Sequence, residues 1–141
     1  MHQSIINFTN IQNSIKENQE KTNNKNNIKI IAVSKTFEIS HINPLIDYGH
    51  TDFGENKVQE AIEKWSDIKH KNQKLSLHLV GKLQSNKTKL ALKIFDYIHS
   101  LDSEKLANKI SEEQKKIDKK PKLFIQVNIG NEDQKSGVSP N

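Results

Sequence analysis

The sequence contains no cysteine, which excludes a disulfide framework, a thiol nucleophile and any zinc–thiolate site. It also contains no arginine, so all 22 basic residues are lysine. Arginine supplies the planar, bidentate donors that suit phosphates and base edges, and its absence argues against a nucleic-acid partner. Apolar runs are short, and none approaches the ~18 residues that a membrane span requires. No membrane partner is expected. The N-terminal MHQSIINFTN lacks the charged-then-apolar layout of a secretory signal. The expected location is therefore cytoplasmic and reducing, where the sequons at Asn7 and Asn86 are coincidental.

What is present is economical. With 33% hydrophobic and 6% aromatic residues in 141, one domain with a modest core is expected. The net charge of +5 is spread over lysines that alternate with acids, as in SEEQKKIDKK from Ser111 to Lys120, a pattern of solvated helix faces. The six histidines form no HExxH or comparable ligand spacing, so no metal site is expected. Ser34 and Ser85 lack any pattern of His and Asp partners, which speaks against a serine hydrolase.

Along the chain, residues 1–27 read as a helix with Ile5, Phe8, Ile11 and Ile15 on one face, followed by a polar loop. IKIIAV (Ile28 to Val33) is a β-branched run suited to a buried strand. Ile39, Ile42 and Ile46 then recur at helical spacing, with Gly49 as the stop. Further strands are expected at Thr51–Gly54, Leu75–Gly81, Tyr97–Leu101 and Lys122–Ile129. Helices between them carry Val58, Ala61, Ile62, Trp65 and Ile68, then Leu90, Ala91 and Ile94, then Leu106, Ile110 and Ile117, the last capped by Ser103. Strands recurring every ~20–26 residues between helices imply βα units and a parallel sheet.

Pattern alone leaves two α/β architectures open. A doubly wound nucleotide-binding sheet should carry a glycine-rich turn after its first strand, but that strand ends in SKTFE, and Gly81–Lys82 is not a P-loop. A (β/α)8 TIM barrel fits better, although eight units need ~250 residues. The expected fold is thus a partial (β/α)8 barrel: an N-terminal helix and loop (1–27), then βα units one to five (28–141), in a single incomplete barrel domain.

Barrel enzymes keep reacting groups at the C-terminal ends of their strands. Lys35 stands at the end of the first strand, on the parity of Ile31 and Val33. Partial desolvation there would favour a neutral amine able to attack an aldehyde, whereas a solvent-directed lysine is the bland alternative. Glu55 and Asn56 end the second strand. His78 and GKLQSNK come from the third, and Gln126, Asn128 and NEDQKSG from the fifth. Polar strand ends converging on one rim suggest a site. For His78, a hydrogen-bonded core histidine is preferred to a metal ligand.

Five ordered segments carry a resemblance: IIAVSKT (Ile30 to Thr36), DFGENKVQEA (Asp52 to Ala61), HLVGKLQSNK (His78 to Lys87), HSLD (His99 to Asp102) and QVNIGNEDQKSG (Gln126 to Gly137). Together they resemble the pyridoxal phosphate homeostasis family, over nearly the whole chain from Ile28 onward. The resemblance implies an alanine-racemase-like barrel and pyridoxal 5′-phosphate as cofactor, held as a Schiff base on Lys35. It further implies contact of Asn56 with the cofactor ring, with Lys135 and, more weakly, Lys87 as further cofactor-binding candidates. The family buffers or delivers the cofactor without established catalysis, so no catalytic residues are assigned and PLP-dependent apoenzymes are candidate partners. Many relatives carry a second lysine two positions after the first, where this chain has Phe37.

The chain is short for this family. The resemblance places the phosphate-binding motifs and an arginine near the ring nitrogen after later strands, beyond the five seen here. The chain is therefore expected to be a truncated member, which dimerises, aggregates or requires a separate C-terminal half. Alternatives are an inactive or split-gene fragment and a racemase-type PLP enzyme. The racemase reading needs a second base, and Tyr48 and Tyr97 are the only tyrosines.

Overall fold

The computed structural model describes residues 1–141. They form two compact units, one of Met1–Ile30 with Phe37–Thr51, the other of Ile31–Thr36 with Asp52–Asn141. No helix is long and apolar enough to cross a membrane.

The first unit holds α1 (Gln3–Thr22) and α2 (Ile39–Asp47). Helix α1 starts at His2, whose Nδ1 accepts from the Ser4 N–H at 3.2 Å. It stops at Asn23, which adopts a left-handed φ of 50° and donates back to the Gln19 and Glu20 carbonyls, closing two of the orphan acceptors of a helix end. Phe8 is the buried residue of α1 and lies 4.5 Å from the His50 ring and 6.2 Å from that of Tyr48. Gly49, at φ 105°, ends α2 as its position suggests, because a side chain is strained there.

The second unit is a five-stranded parallel sheet in the order β1-β2-β3-β4-β5. The strands are β1 (Ala32–Val33), β2 (Asp52–Glu55), β3 (Ser76–Leu79), β4 (Tyr97–Leu101) and β5 (Lys122–Ile125). Strand order equal to chain order is the barrel progression; a doubly wound sheet would reverse direction from its centre. Helices α3 (Val58–Lys71), α4 (Thr88–Ile94) and α5 (Glu104–Ile117) fill the crossovers. Ser103 caps α5 as expected, its side chain accepting from the Leu106 N–H at 3.1 Å.

Alternation decides the core. Phe53 and Glu55, Leu77 and Leu79, and Ile98 and Ser100 are buried on one parity, with Trp65, Ala91, Leu92, Phe95, Leu106 and Ile110 also buried. Phe53 meets Trp65 at 5.0 Å between rings. Asp96 stitches the N-terminal edge of the sheet: its carboxylate accepts from the Leu77 N–H at 2.8 Å and from the Lys69 ammonium, while its carbonyl accepts from the Lys122 N–H.

Three strands are shorter than expected, β3 by one residue at its start and two at its end. Ala32 is in register with Phe53 and Val33 with Gly54, and β1 is confined to these two residues. Strand β5 stops at Ile125 because the chain beyond turns back on itself: Asn128 N–H donates to Val138 O and Val138 N–H to Gln126 O, both at 2.8 Å. All four β5 residues are exposed.

Candidate functional site

In a parallel sheet every strand ends at the same edge, so Lys35, Asn56, Gly81 and Gln126 follow β1, β2, β3 and β5 on one side. Lys35 is exposed there, and its ammonium makes no hydrogen bond or ion pair to the protein. The expected desolvation is not found, because the neighbouring face is open; Val33, of the same parity, is 49% exposed.

The backbone around Lys35 is tightly held. Ser34 is buried; its N–H donates to Gly54 O at 2.8 Å and its hydroxyl to Glu55 Oε1 at 2.8 Å. Its carbonyl accepts from the Lys64 ammonium at 2.8 Å. On the other side of Lys35, Thr36 has φ 67°, a region that costs a β-branched residue about 1–2 kcal/mol. Its N–H donates to Glu60 Oε1 at 2.6 Å. Lys64 joins both ends of this arrangement, reaching Glu55 at 2.8 Å and Glu60 at 3.0 Å.

Glu55 is therefore not a rim residue, in correction of the sequence expectation. It shares the parity of Phe53, is fully buried, and its Oε1 also accepts from the Trp65 indole at 2.9 Å. Burial tends to raise the Glu60 pKa, but hydrogen bonds from Lys64 and Thr36 and the charges of Lys64 and Lys57 outweigh it and lower the value. Nothing in the sequence signals this cluster, because Glu60 and Lys64 have the i,i+4 spacing of an ordinary surface pair.

Asn56 is half-buried and lies beside Gly81, where an added Cβ would overlap its main-chain and side-chain oxygens and come within 2.7 Å of its Cγ. The Val80 N–H donates to Glu55 O at 2.9 Å, so the ends of β2 and β3 are locked together behind Asn56. Lys87 ends a 3-10 turn, Ser85–Lys87, and is exposed.

Gln126 and Asn128 do not project into an open rim; they are committed to their own loop. Asn128 Nδ2 donates to Glu132 O at 2.8 Å, its Oδ1 accepts from the Glu132 N–H at 3.3 Å, and Gln126 Nε2 donates to Ser136 O at 3.4 Å. Gly137, at φ 119°, packs so closely that a Cβ would lie 2.7 Å from Asn128 N. This loop carries Lys135, which is exposed.

His78 sits within β3, not at its end, and is a buried, hydrogen-bonded histidine. It lies 2.9 Å from Asp52 Oδ1 through Nε2 and 2.9 Å from His99 Nε2 through Nδ1. Tyr97 stacks on it at 4.1 Å and Phe124 stacks on His99 at 4.6 Å. Burial, and then the neighbouring His78, lower the His99 pKa.

A model of the alanine racemase N-terminal domain matches residues 6–141. The pyridoxal phosphate homeostasis protein of Pasteurella multocida is 41% identical over 94% of the chain and 55% of its own length. That of Haemophilus influenzae is 42% identical over 86% and 52%. The chain thus spans about half the length of the curated relatives it matches. Among solved structures, PipY of Synechococcus elongatus with PLP bound is 36% identical, with a TM-score of 0.73 over 88% of this chain and 57% of PipY. An alanine racemase of Clostridium difficile, at 19% identity and a TM-score of 0.65, shares the fold.

Proposed function

Because the chain belongs to the alanine racemase N-terminal domain family, we propose that it is a pyridoxal 5′-phosphate binding protein of intracellular vitamin B6 homeostasis. The cofactor is held as a Schiff base on Lys35. The observation that carries this reading is an exposed, unpartnered lysine amine on a backbone fixed from both sides, at the edge of the sheet where Asn56 also lies. The names of the curated relatives and the PLP bound to PipY support it.

The residues present fit the aldehyde end of such a cofactor. When bound, pyridoxal phosphate supplies an aldehyde that captures an amine. Lys35 would hold the group through its amine at that aldehyde. Asn56, held against Gly81, is positioned to orient the ring; Lys135 and Lys87 are the cations placed beyond strand ends of the same edge. Phosphate-binding groups belong to later strands in this reading, so residues 1–141 form one incomplete barrel domain. A second copy or a separate C-terminal half completes it, and PLP-dependent apoenzymes receive the cofactor. The role is non-catalytic and cytoplasmic. A racemase would need a second base, but Tyr97 is stacked on His78 with the Lys122 ammonium over its ring.

Borohydride trapping with pyridoxal phosphate, followed by peptide mass mapping, tests the proposal. An adduct confined to Lys35 and lost in Lys35→Ala is expected. Adducts scattered over many of the 22 lysines would overturn it.

A further inference from the structure

Three side chains, Glu55, Glu60 and Lys64, converge on the two residues that flank Lys35. Upstream, Ser34 is fixed at three atoms: its N–H on Gly54 O, its hydroxyl on Glu55 Oε1, and its carbonyl under the Lys64 ammonium. Downstream, Thr36 is fixed by its N–H on Glu60 Oε1 at 2.6 Å. A single ammonium, Lys64 Nζ, bonds Ser34 O, Glu55 Oε1 and Glu60 Oε1 at 2.8, 2.8 and 3.0 Å. It has spent all three of its donors, and its side chain is only 9% exposed.

The exposed Lys35 side chain takes no part in the cluster that fixes its neighbours. The strained φ of 67° at Thr36 shows that the segment is over-determined by its surroundings, since such a conformation persists only where neighbours impose it. We infer that Glu60 and Lys64, with Glu55 behind them, are positioning residues that hold the Lys35 backbone so that its amine projects from the sheet edge at one angle.

The inference rests on Lys35 as the cofactor-binding residue for its functional meaning, while the clamp itself can be read without cofactor. Glu60 is the informative position, because it lies at 28% side-chain exposure and its removal leaves the buried Glu55–Lys64 pair intact. Glu60→Ala removes the acceptor of the Thr36 N–H, whereas Glu60→Gln retains an acceptor oxygen.

The test combines two readouts on the full chain. In the first, hydrogen exchange is followed at the Thr36 amide without cofactor. Glu60→Ala should accelerate it about tenfold or more, as expected when a hydrogen bond to a charged group is lost, and Glu60→Gln should restore most of the protection. In the second, the share of borohydride-trapped pyridoxal phosphate found on Lys35, relative to the other lysines, is measured across pH. Glu60→Ala should lower that share about tenfold, with rescue by Glu60→Gln. Unchanged emission from Trp65, the only tryptophan, would show that the fold is retained.

Selective labelling lost in Lys35→Ala but unaltered in Glu60→Ala would overturn the clamp and leave the cofactor reading standing. No selective labelling in the wild type, with exchange at Thr36 still under Glu60 control, would overturn the cofactor reading and support the clamp. Exchange indifferent to Glu60 would overturn the clamp directly.

Discussion

Gly81 and Asn56 approach so closely that a Cβ at residue 81 would overlap two oxygens of Asn56, one of them in the main chain. A backbone oxygen cannot rotate away as a side-chain end can. Gly81→Ala is therefore expected to push the ends of β2 and β3 apart and to cost about 1–3 kcal/mol, read as a lower urea midpoint. If Gly81→Ala keeps wild-type stability, the approach is looser than described.

The buried ion pair should be far more sensitive than its exposed arm. Lys64→Met leaves the Glu55 carboxylate, fully buried beside Trp65, without its counter-charge, and is expected to cost about 3–5 kcal/mol. Glu60→Ala removes a partly exposed group and should cost about 1 kcal/mol. Equal losses in chemical denaturation would contradict this ranking.

Thr36 carries strain that its side chain imposes. Thr36→Gly removes the steric cost at φ 67° but gives the unfolded chain more freedom, so stability should stay within about 1 kcal/mol of wild type. Thr36→Pro removes the donor to Glu60 and forces φ to the opposite sign, and should cost about 3 kcal/mol or more. Thermal melts of the two variants check the pair.

Acidification should weaken the β3–β4 layer. With its pKa held below the ordinary histidine value by burial and by His78, folded His99 takes up its proton at lower pH than the unfolded chain does. The stability it contributes is complete above about pH 6.5 and is lost as pH falls from there through the folded pKa. Asp52, His78 and Tyr97, with the Lys122 ammonium over Tyr97, are the other ionisable groups in this layer. Denaturant midpoints between about pH 7 and 5 should fall more steeply in wild type than in His99→Gln.

Strand β5 offers an exposed edge with Phe124 at 50% and Ile125 at 67% exposure, the kind of surface that pairs with another chain. Concentration-dependent self-association is expected in sedimentation, and Ile125→Lys should reduce it, because a charge on an edge strand blocks that pairing.

Much of this was legible in the sequence, and the reasons differ by residue. The βα period, the cap at Ser103 and the stop at Gly49 rest on local rules that the tertiary structure does not override. Lys35 and Asn56 stood at strand ends, where topology alone assigns the edge. Glu55 also ends β2, yet one residue before Asn56 it faces the helices, because side chains alternate across a strand. Gln126 and Asn128 had the right parity for a rim, yet their amides are spent on the loop that follows. The Glu55–Glu60–Lys64 cluster joins residues from β2 and α3 to the segment that follows β1, and such a meeting is visible only once the sheet exists.

The order of the sheet carries a kinetic consequence. Every strand pairs with its immediate predecessor, as in Ala32 with Phe53, Phe53 with Leu77 and Ile98 with Leu123. Each step closes a segment of roughly 20–25 residues, and loop-closure entropy grows only slowly with length. Low-separation pairings favour fast folding, and a ribosome emits them in the order in which they join. The sheet can therefore grow strand by strand during synthesis, each new βα unit docking on a surface already made.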